Sequence, residues 1–204
     1  MIAIQISYLP ESREMRQGDA RKAIFREACK ILQIEERSYK RITIEDLKKL
    51  EDLALKERTE FFDRHPRYRK AYENSLIAIA LCQGAASHFV DGKTGVKDFD
   101  IWYFYIQNSD VTYPYRALKS VDSNLSEFGV HPDDVEKRYR GRRGHLMGRT
   151  IDISIVKRNN GDAMNCIIEY LEAGRTTTAR ELAKKSVVGL WPDAILGRVI
   201  WSGR

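Results

Sequence analysis

Two aspartates separated by one residue, Asp98 and Asp100, stand at the head of an apolar segment that runs on through Ile101, Trp102, Tyr103 and Phe104. In a strand, alternate side chains share a face, so both carboxylates project to one side with Cα atoms roughly 7 Å apart. That spacing suits carboxylates converging on a hard cation. Phe99 and Ile101 then face the core. A third acid, Asp152, lies in Thr150-Ile151-Asp152-Ile153-Ser154-Ile155-Val156. The near-strict alternation there predicts a half-buried strand with Asp152 on the face opposite its isoleucines. If the two strands are neighbours, three carboxylates cluster.

The elements that must position these acids begin with Leu76 to Leu81, an apolar run short enough for a buried strand. Gly84 follows, then a helix-length segment from Ala85 to Val90, a loop, and the strand from Asp98 to Ile106. Gly84 lets a backbone approach an anionic oxygen with no Cβ in the way, and the start of the next helix offers free N–H groups. Ser87 could add a hydroxyl donor.

Taken together, Gly84-Ala85, Asp98-Phe99-Asp100 and Asp152 resemble the nucleotidyltransferase superfamily that includes DNA polymerase β. Its pattern is a Gly-Gly or Gly-Ser turn, an acid-apolar-acid strand and a later strand with one more acid. The twelve residues from Ala86 to Lys97 fit the usual separation, and the resemblance spans roughly residues 75 to 157. Ala85 departs from the pattern, and the nearest hydroxyl, Ser87, comes two positions late. The resemblance implies Mg²⁺-dependent transfer of a nucleotidyl group from an NTP to a hydroxyl of RNA, protein or a small molecule. Charge builds on the attacking oxygen and the leaving group together, and two Mg²⁺ ions about 3.5–4 Å apart stabilise both. Asp98 and Asp100 would hold the metals, and Asp152 the ion that activates the acceptor.

Each feature also has a plainer use. Asp-x-Asp at a strand start is commonly a turn acid beside a solvent-facing one. Trp102 and Phe104 continue the aspartate face, where they either stack a base or cover a helix. Gly92-Lys93-Thr94 mimics the end of a P-loop, yet the first glycine would fall on Ser87, and the triplet follows a helix segment instead of a strand. Asp91 to Gly95 therefore reads as a polar turn, with Lys93 and Lys97 either solvated or near a triphosphate.

The formal net charge of +6 implies some affinity for polyanions without naming a partner. Lys137 to His145 packs five Lys or Arg into nine residues, with Arg149 just beyond. Arg140, Arg142 and Arg143 could grip a triphosphate or an RNA backbone bidentately, or form a solvated hairpin loop. Cys29, Cys82 and Cys166 sit far apart in apolar contexts and read as reduced core residues. His65, His88, His131 and His145 lack zinc-site partners. No apolar stretch reaches the roughly 18 residues of a membrane span, and the first ten residues lack a signal pattern, so a cytoplasmic protein without a membrane partner is expected.

Helical periodicity marks Asp19 to Gln33 and a segment opened by Thr43-Ile44-Glu45-Asp46, and Pro66 suits the first turn of a third helix. Gly161 to Ala173 and Thr178 to Lys185 also look helical, and Trp191-Pro192 breaks the pattern. The expectation is an α/β (α+β) fold: residues 1–72 helical, 73–158 a small mixed sheet holding the three aspartates with helices on its other face, and 159–204 a helical segment on that core. Two rivals to nucleotidyl transfer stand. One is a nucleotide- or RNA-binding module without turnover. The other is a sugar-nucleotide glycosyltransferase, which uses Asp-x-Asp but needs a larger nucleotide-binding domain. Asp152 beside Asp98 favours transfer; Asp152 far away favours the rivals.

Overall fold

The computed structural model describes residues 40–114, 119–122 and 143–204. The expected helix Asp19 to Gln33, Cys29, His131, Arg140 and Arg142 lie outside them. Among the described residues six strands form one mixed sheet with six α-helices around it, so the α+β expectation holds.

Helix α1 (Ile44–Arg64) starts at a capping box: Thr43 N donates to Asp46 Oδ2 at 3.0 Å, and Asp46 N donates to Thr43 Oγ1 at 3.3 Å. The two bonds satisfy orphan N–H groups that a helix start otherwise leaves bare. Helix α2 (Pro66–Tyr72) opens on its proline. Then come β1 (Leu76–Cys82), α3 (Gln83–Asp91), β2 (Phe99–Ile106), β3 (Lys119–Asp122) and β4 (Arg143–Ile151). Three helices follow, α4 (Ile153–Arg158), α5 (Ala163–Ala173) and α6 (Thr177–Leu182), before β5 (Ser186–Trp191) and β6 (Val199–Ser202). The sheet order is β3-β4-β2-β1-β5-β6, with β2 and β4 parallel and every other neighbour antiparallel.

Both faces are covered, whereas helices on one face were expected. Ile79, Leu81, Phe99, Ile101, Tyr103, Tyr105, Val188 and Leu190 pack on one side with Leu47, Leu50, Ala54 and Phe62 of α1 and Ala85 and Ala86 of α3. Ala78, Ala80, Cys82, Trp102, Phe104 and Val187 pack on the other with Cys166, Ile167 and Leu171 of α5 and Leu182 of α6. Burial from both sides explains why β1 is apolar throughout. The C-terminal region, expected to carry helices at Gly161 to Ala173 and Thr178 to Lys185, also supplies β5 and β6, and β5 lies against β1. Among the described residues, no helix is long and apolar enough to cross a membrane.

The strand expected through Asp152 ends at Ile151. Asp152 is the N-cap of α4, its Oδ1 accepting from Ser154 N at 2.7 Å. An aspartate two residues before a free N–H does what caps do, and this ends the strand. Ile153, placed on the core face by alternation, is exposed.

Candidate functional site

Asp98 and Asp100 meet the rim of the sheet where β1 ends and β2 begins. In the antiparallel β1–β2 ladder Cys82 lies opposite Asp100, and in the parallel β2–β4 ladder His145 does. Asp100 therefore shares its face with Trp102 and Phe104, while Phe99 and Ile101 are fully buried on the other side. Asp98 precedes the strand, its Oδ2 3.7 Å from His145 Nε2, and both side chains are about one-third exposed.

The electrostatics of the pair are unfavourable without a cation. Burial first, and the neighbouring Asp98 carboxylate second, push Asp100 up to about 6; His145, Lys185 and Lys97 pull in the other direction. Burial and the charge of Asp100 also raise the Cys82 thiol well above its ordinary value, so Cys82 stays a neutral core group. A carboxylate held partly ionised beside a second one is what a bound divalent cation would relieve.

Asp152 does not join them. Gln107 N, just past β2, donates to Ile151 O at 2.8 Å, which places Asp152 at the exit of β2 while Asp98 and Asp100 stand at its entry. From His145, opposite Asp100, to Asp152 is seven residues of nearly continuous strand, roughly 20 Å. Among the described residues no group of three His, Cys, Asp or Glu side chains could hold a metal ion, and Asp152 stands apart from the other two acids. Asp98 and Asp100 remain as a two-carboxylate pair, a donor set suited to one hard cation with ligand oxygens or water completing its shell.

The glycine turn is also altered. Ala85 is fully buried in the α1 side of the core, and Ser87 Oγ accepts from Ser186 N at 3.3 Å, tying α3 to β5. Ala85 has no polar group for a phosphate, and the Ser87 hydroxyl is already engaged with Ser186, donating to its Oγ at 3.4 Å. Gly84 lies in the first turn of α3, and a Cβ there would meet nothing closer than Gly95 O at 3.7 Å. Gln83, before it, adopts a left-handed φ of 63°, an uncommon conformation for a residue with a Cβ, and its Nε2 donates to Glu181 O at 3.3 Å. The body of α3 therefore packs on the face away from Asp100, and only its N-terminal turn shares the rim.

The polar turn read at Asp91 is built by that residue: its Oδ1 accepts from Lys93 N and Thr94 N at 2.8 and 2.9 Å, and its Oδ2 from Thr94 Oγ1 at 2.6 Å. These bonds keep Asp91 below its ordinary value against the opposing effect of burial. Of the basic run, Arg143 opens β4, paired with Asp122 of β3. Two residues at the rim went unassigned in the sequence, His145 and Lys185. Only the parallel pairing of β4 and the arrival of β5 beside β1 bring them there. Compared with known protein families, curated proteins and solved structures, the chain matches none.

Proposed function

We propose that the chain is a Mg²⁺-dependent nucleotidyltransferase whose metal and nucleotide phosphates meet at the Asp98–Asp100 rim. The observation that carries this reading is the carboxylate pair at the entry of β2, with Asp98 close enough to raise Asp100 and His145 Nε2 3.7 Å from Asp98 Oδ2. Mg²⁺ bound by the two aspartates supplies charge neutralisation at an α-phosphate and its leaving pyrophosphate. Asp98 and Asp100 fix the position of that charge. Lys185 and Lys97, both within electrostatic reach of Asp100, add positive potential for a polyphosphate. The first turn of α3 at Gly84 presents N–H groups at the same rim.

The remote Asp152 favours a second reading, in which the same rim binds a nucleotide or RNA without turnover. One experiment tests the first. The protein is incubated with Mg²⁺, each α-labelled NTP and cellular RNA, protein or small-molecule fractions, and label transfer is followed. Transfer by the wild type that falls at least about 10²-fold in Asp100→Asn supports nucleotidyl transfer. Mg²⁺-dependent binding with no transfer from any NTP leaves the binding module as the function.

A further inference from the structure

The strip of sheet beside Asp100 carries a feature that the core does not need. The β2–β4 register sets three pairs on the aspartate face: Asp100 opposite His145, Trp102 opposite Met147, and Phe104 opposite Arg149. Phe104 is fully buried, with the ring of Tyr170 edge-on at 6.0 Å, so its job is to seat α5. Trp102 is different. Its side chain is 6% exposed, yet among the described residues its Nε1–H has no hydrogen-bond partner. An indole nitrogen is a donor only, and a buried donor with no acceptor costs free energy that native cores ordinarily avoid. Arg149 lies over the same ring, its Cζ 5.6 Å from the centroid, and His145, Met147 and Arg149 are all half-buried. The half-buried side chains of His145, Met147 and Arg149 thus lie on the strand paired with the one that carries this buried, unsatisfied donor.

We propose that the base of the bound nucleotide lies on the strip formed by His145, Met147 and Arg149, with Trp102 Nε1–H donating to a ring nitrogen or carbonyl oxygen of that base. This rests on the nucleotide reading above and deepens it by placing the base. The Trp102 pair stands one two-residue step, about 7 Å, from the Asp100 pair, the scale of the ribose that separates a base from its α-phosphate. The thioether of Met147 and the guanidinium plane of Arg149 are side chains on which a heteroaromatic ring packs well. Every common base offers an acceptor of the kind an indole N–H needs. The strip also explains why Trp102 and not a second phenylalanine stands between Asp100 and Phe104.

The test compares Mg²⁺-dependent affinity for ATP, GTP, CTP, UTP and inorganic triphosphate by calorimetry in the wild type, Trp102→Phe, Met147→Ala and Asp100→Asn. The indole resonances of ¹⁵N-tryptophan-labelled protein are followed in parallel, with that of Trp102 identified by its loss in Trp102→Phe. At least one NTP should bind more tightly than triphosphate. Trp102→Phe should weaken that NTP by about tenfold and leave triphosphate unchanged. Met147→Ala should reduce the same preference, which keeps the test decisive if Trp102→Phe proves poorly folded. The Trp102 Nε1–H resonance should move with that NTP and not with triphosphate. Asp100-dependent binding that treats NTP and triphosphate alike in the wild type overturns the base site and leaves the metal-phosphate rim standing. No Mg²⁺-dependent binding of either ligand overturns both.

Discussion

Asp100 and His145 face one another across the parallel β2–β4 pair, and the same histidine reaches the other acid, with Nε2 3.7 Å from Asp98 Oδ2. Two carboxylates and an imidazole thus share one end of the sheet, with Lys185 and Lys97 close enough to act on Asp100. The arrangement concentrates charge where burial makes charge costly, the usual mark of a site kept for binding and not for stability. Each consequence is open to measurement.

The first concerns stability against pH. Asp100 has a folded-state pKa of about 6, raised from its ordinary 3.8 mainly by burial and then by Asp98. The folded chain therefore holds the proton more tightly than the unfolded chain. The resulting stability is fully present below about pH 4, is lost as pH rises through 6, and is absent above. Asp100→Asn removes the penalty of ionisation, so it should melt higher than wild type at pH 7.5, by at most roughly 3 kcal/mol. The advantage should shrink to nothing by pH 4. Melting curves for both proteins from pH 4 to 8 measure this, and a variant equally or less stable at pH 7.5 contradicts the origin given for the shift.

Metal binding should follow the same two acids and ignore the third. Mn²⁺, used as a spectroscopic stand-in for Mg²⁺, should bind wild type and Asp152→Asn alike and bind Asp98→Asn and Asp100→Asn much more weakly. It should also raise the melting temperature of wild type more than that of Asp100→Asn, because a ligand of the folded state adds stability by mass action. Equal loss of Mn²⁺ affinity in Asp152→Asn would return that residue to the site.

Asp152 has a structural duty instead. Its carboxylate accepts from Ser154 N at 2.7 Å, and the Ser154 hydroxyl first and this N–H second keep its pKa below the ordinary range. Asp152→Ala should lower the melting temperature, and Asp152→Asn, which retains an accepting oxygen, should recover most of the loss. Equal melting temperatures for Ala and Asn would rule out the cap as the reason.

This residue shows what could be read from the sequence and what could not. The strands expected at Leu76 to Leu81 and Asp98 to Ile106 form at Leu76–Cys82 and Phe99–Ile106, and Thr43 with Asp46 starts a helix, because apolar runs and capping pairs are local signals. The face that Asp100 shares with Trp102 and Phe104 followed from strand periodicity, while Asp98 stands just before the strand. Asp152 sits where two local rules compete: Ile-Asp-Ile-Ser-Ile alternates like a strand, while an aspartate before Ser154 also caps a helix. Pairing decides the contest, and the sequence does not carry the pairing. Val187, Val188 and Leu190 of β5 have the composition of a buried strand, a local signal in the sequence. His145 had none, since its place depends on β4 running parallel to β2.

Glycines separate folding from ligand binding. Gly84 has room for a Cβ and lies in the first turn of α3, so Gly84→Ala should leave stability unchanged or slightly raised, alanine being the better helix former by up to about 1 kcal/mol. Gly189 is the opposite case: a Cβ there would stand 2.2 Å from the backbone oxygen of Ile195, which cannot swing aside. Gly189→Ala should cost roughly 1–3 kcal/mol through overpacking. If Gly84→Ala keeps its melting temperature but loses affinity for inorganic triphosphate, the α3 turn is a phosphate contact. Unchanged affinity excludes it.

The last prediction separates an enzyme from a binding module by treating the aspartates and the basic run as independent. If the chain transfers nucleotidyl groups at the Asp98–Asp100 rim, Asp100→Asn should abolish most label transfer without weakening RNA binding. Arg140, Arg142 and Arg143, in a run of five cationic residues within nine, bear instead on polyanion affinity, which falls with salt in proportion to the phosphates contacted. Replacing all three by alanine should weaken RNA and flatten the salt dependence, each lost contact reducing the logarithmic slope by roughly 0.7 on a single strand. If RNA is the acceptor, that variant should need more RNA for half-maximal transfer while its rate at saturation stays near that of wild type, because the metal pair is intact. The measurement pairs label transfer with RNA affinity at several salt concentrations for wild type, Asp100→Asn and the triple variant. Transfer no higher in wild type than in Asp100→Asn, together with RNA binding that depends on the arginines, would make the chain a nucleic-acid-binding module. An unchanged salt slope in the triple variant would instead mean that the basic run does not touch RNA, and any polyanion affinity would have to come from the rest of the surface.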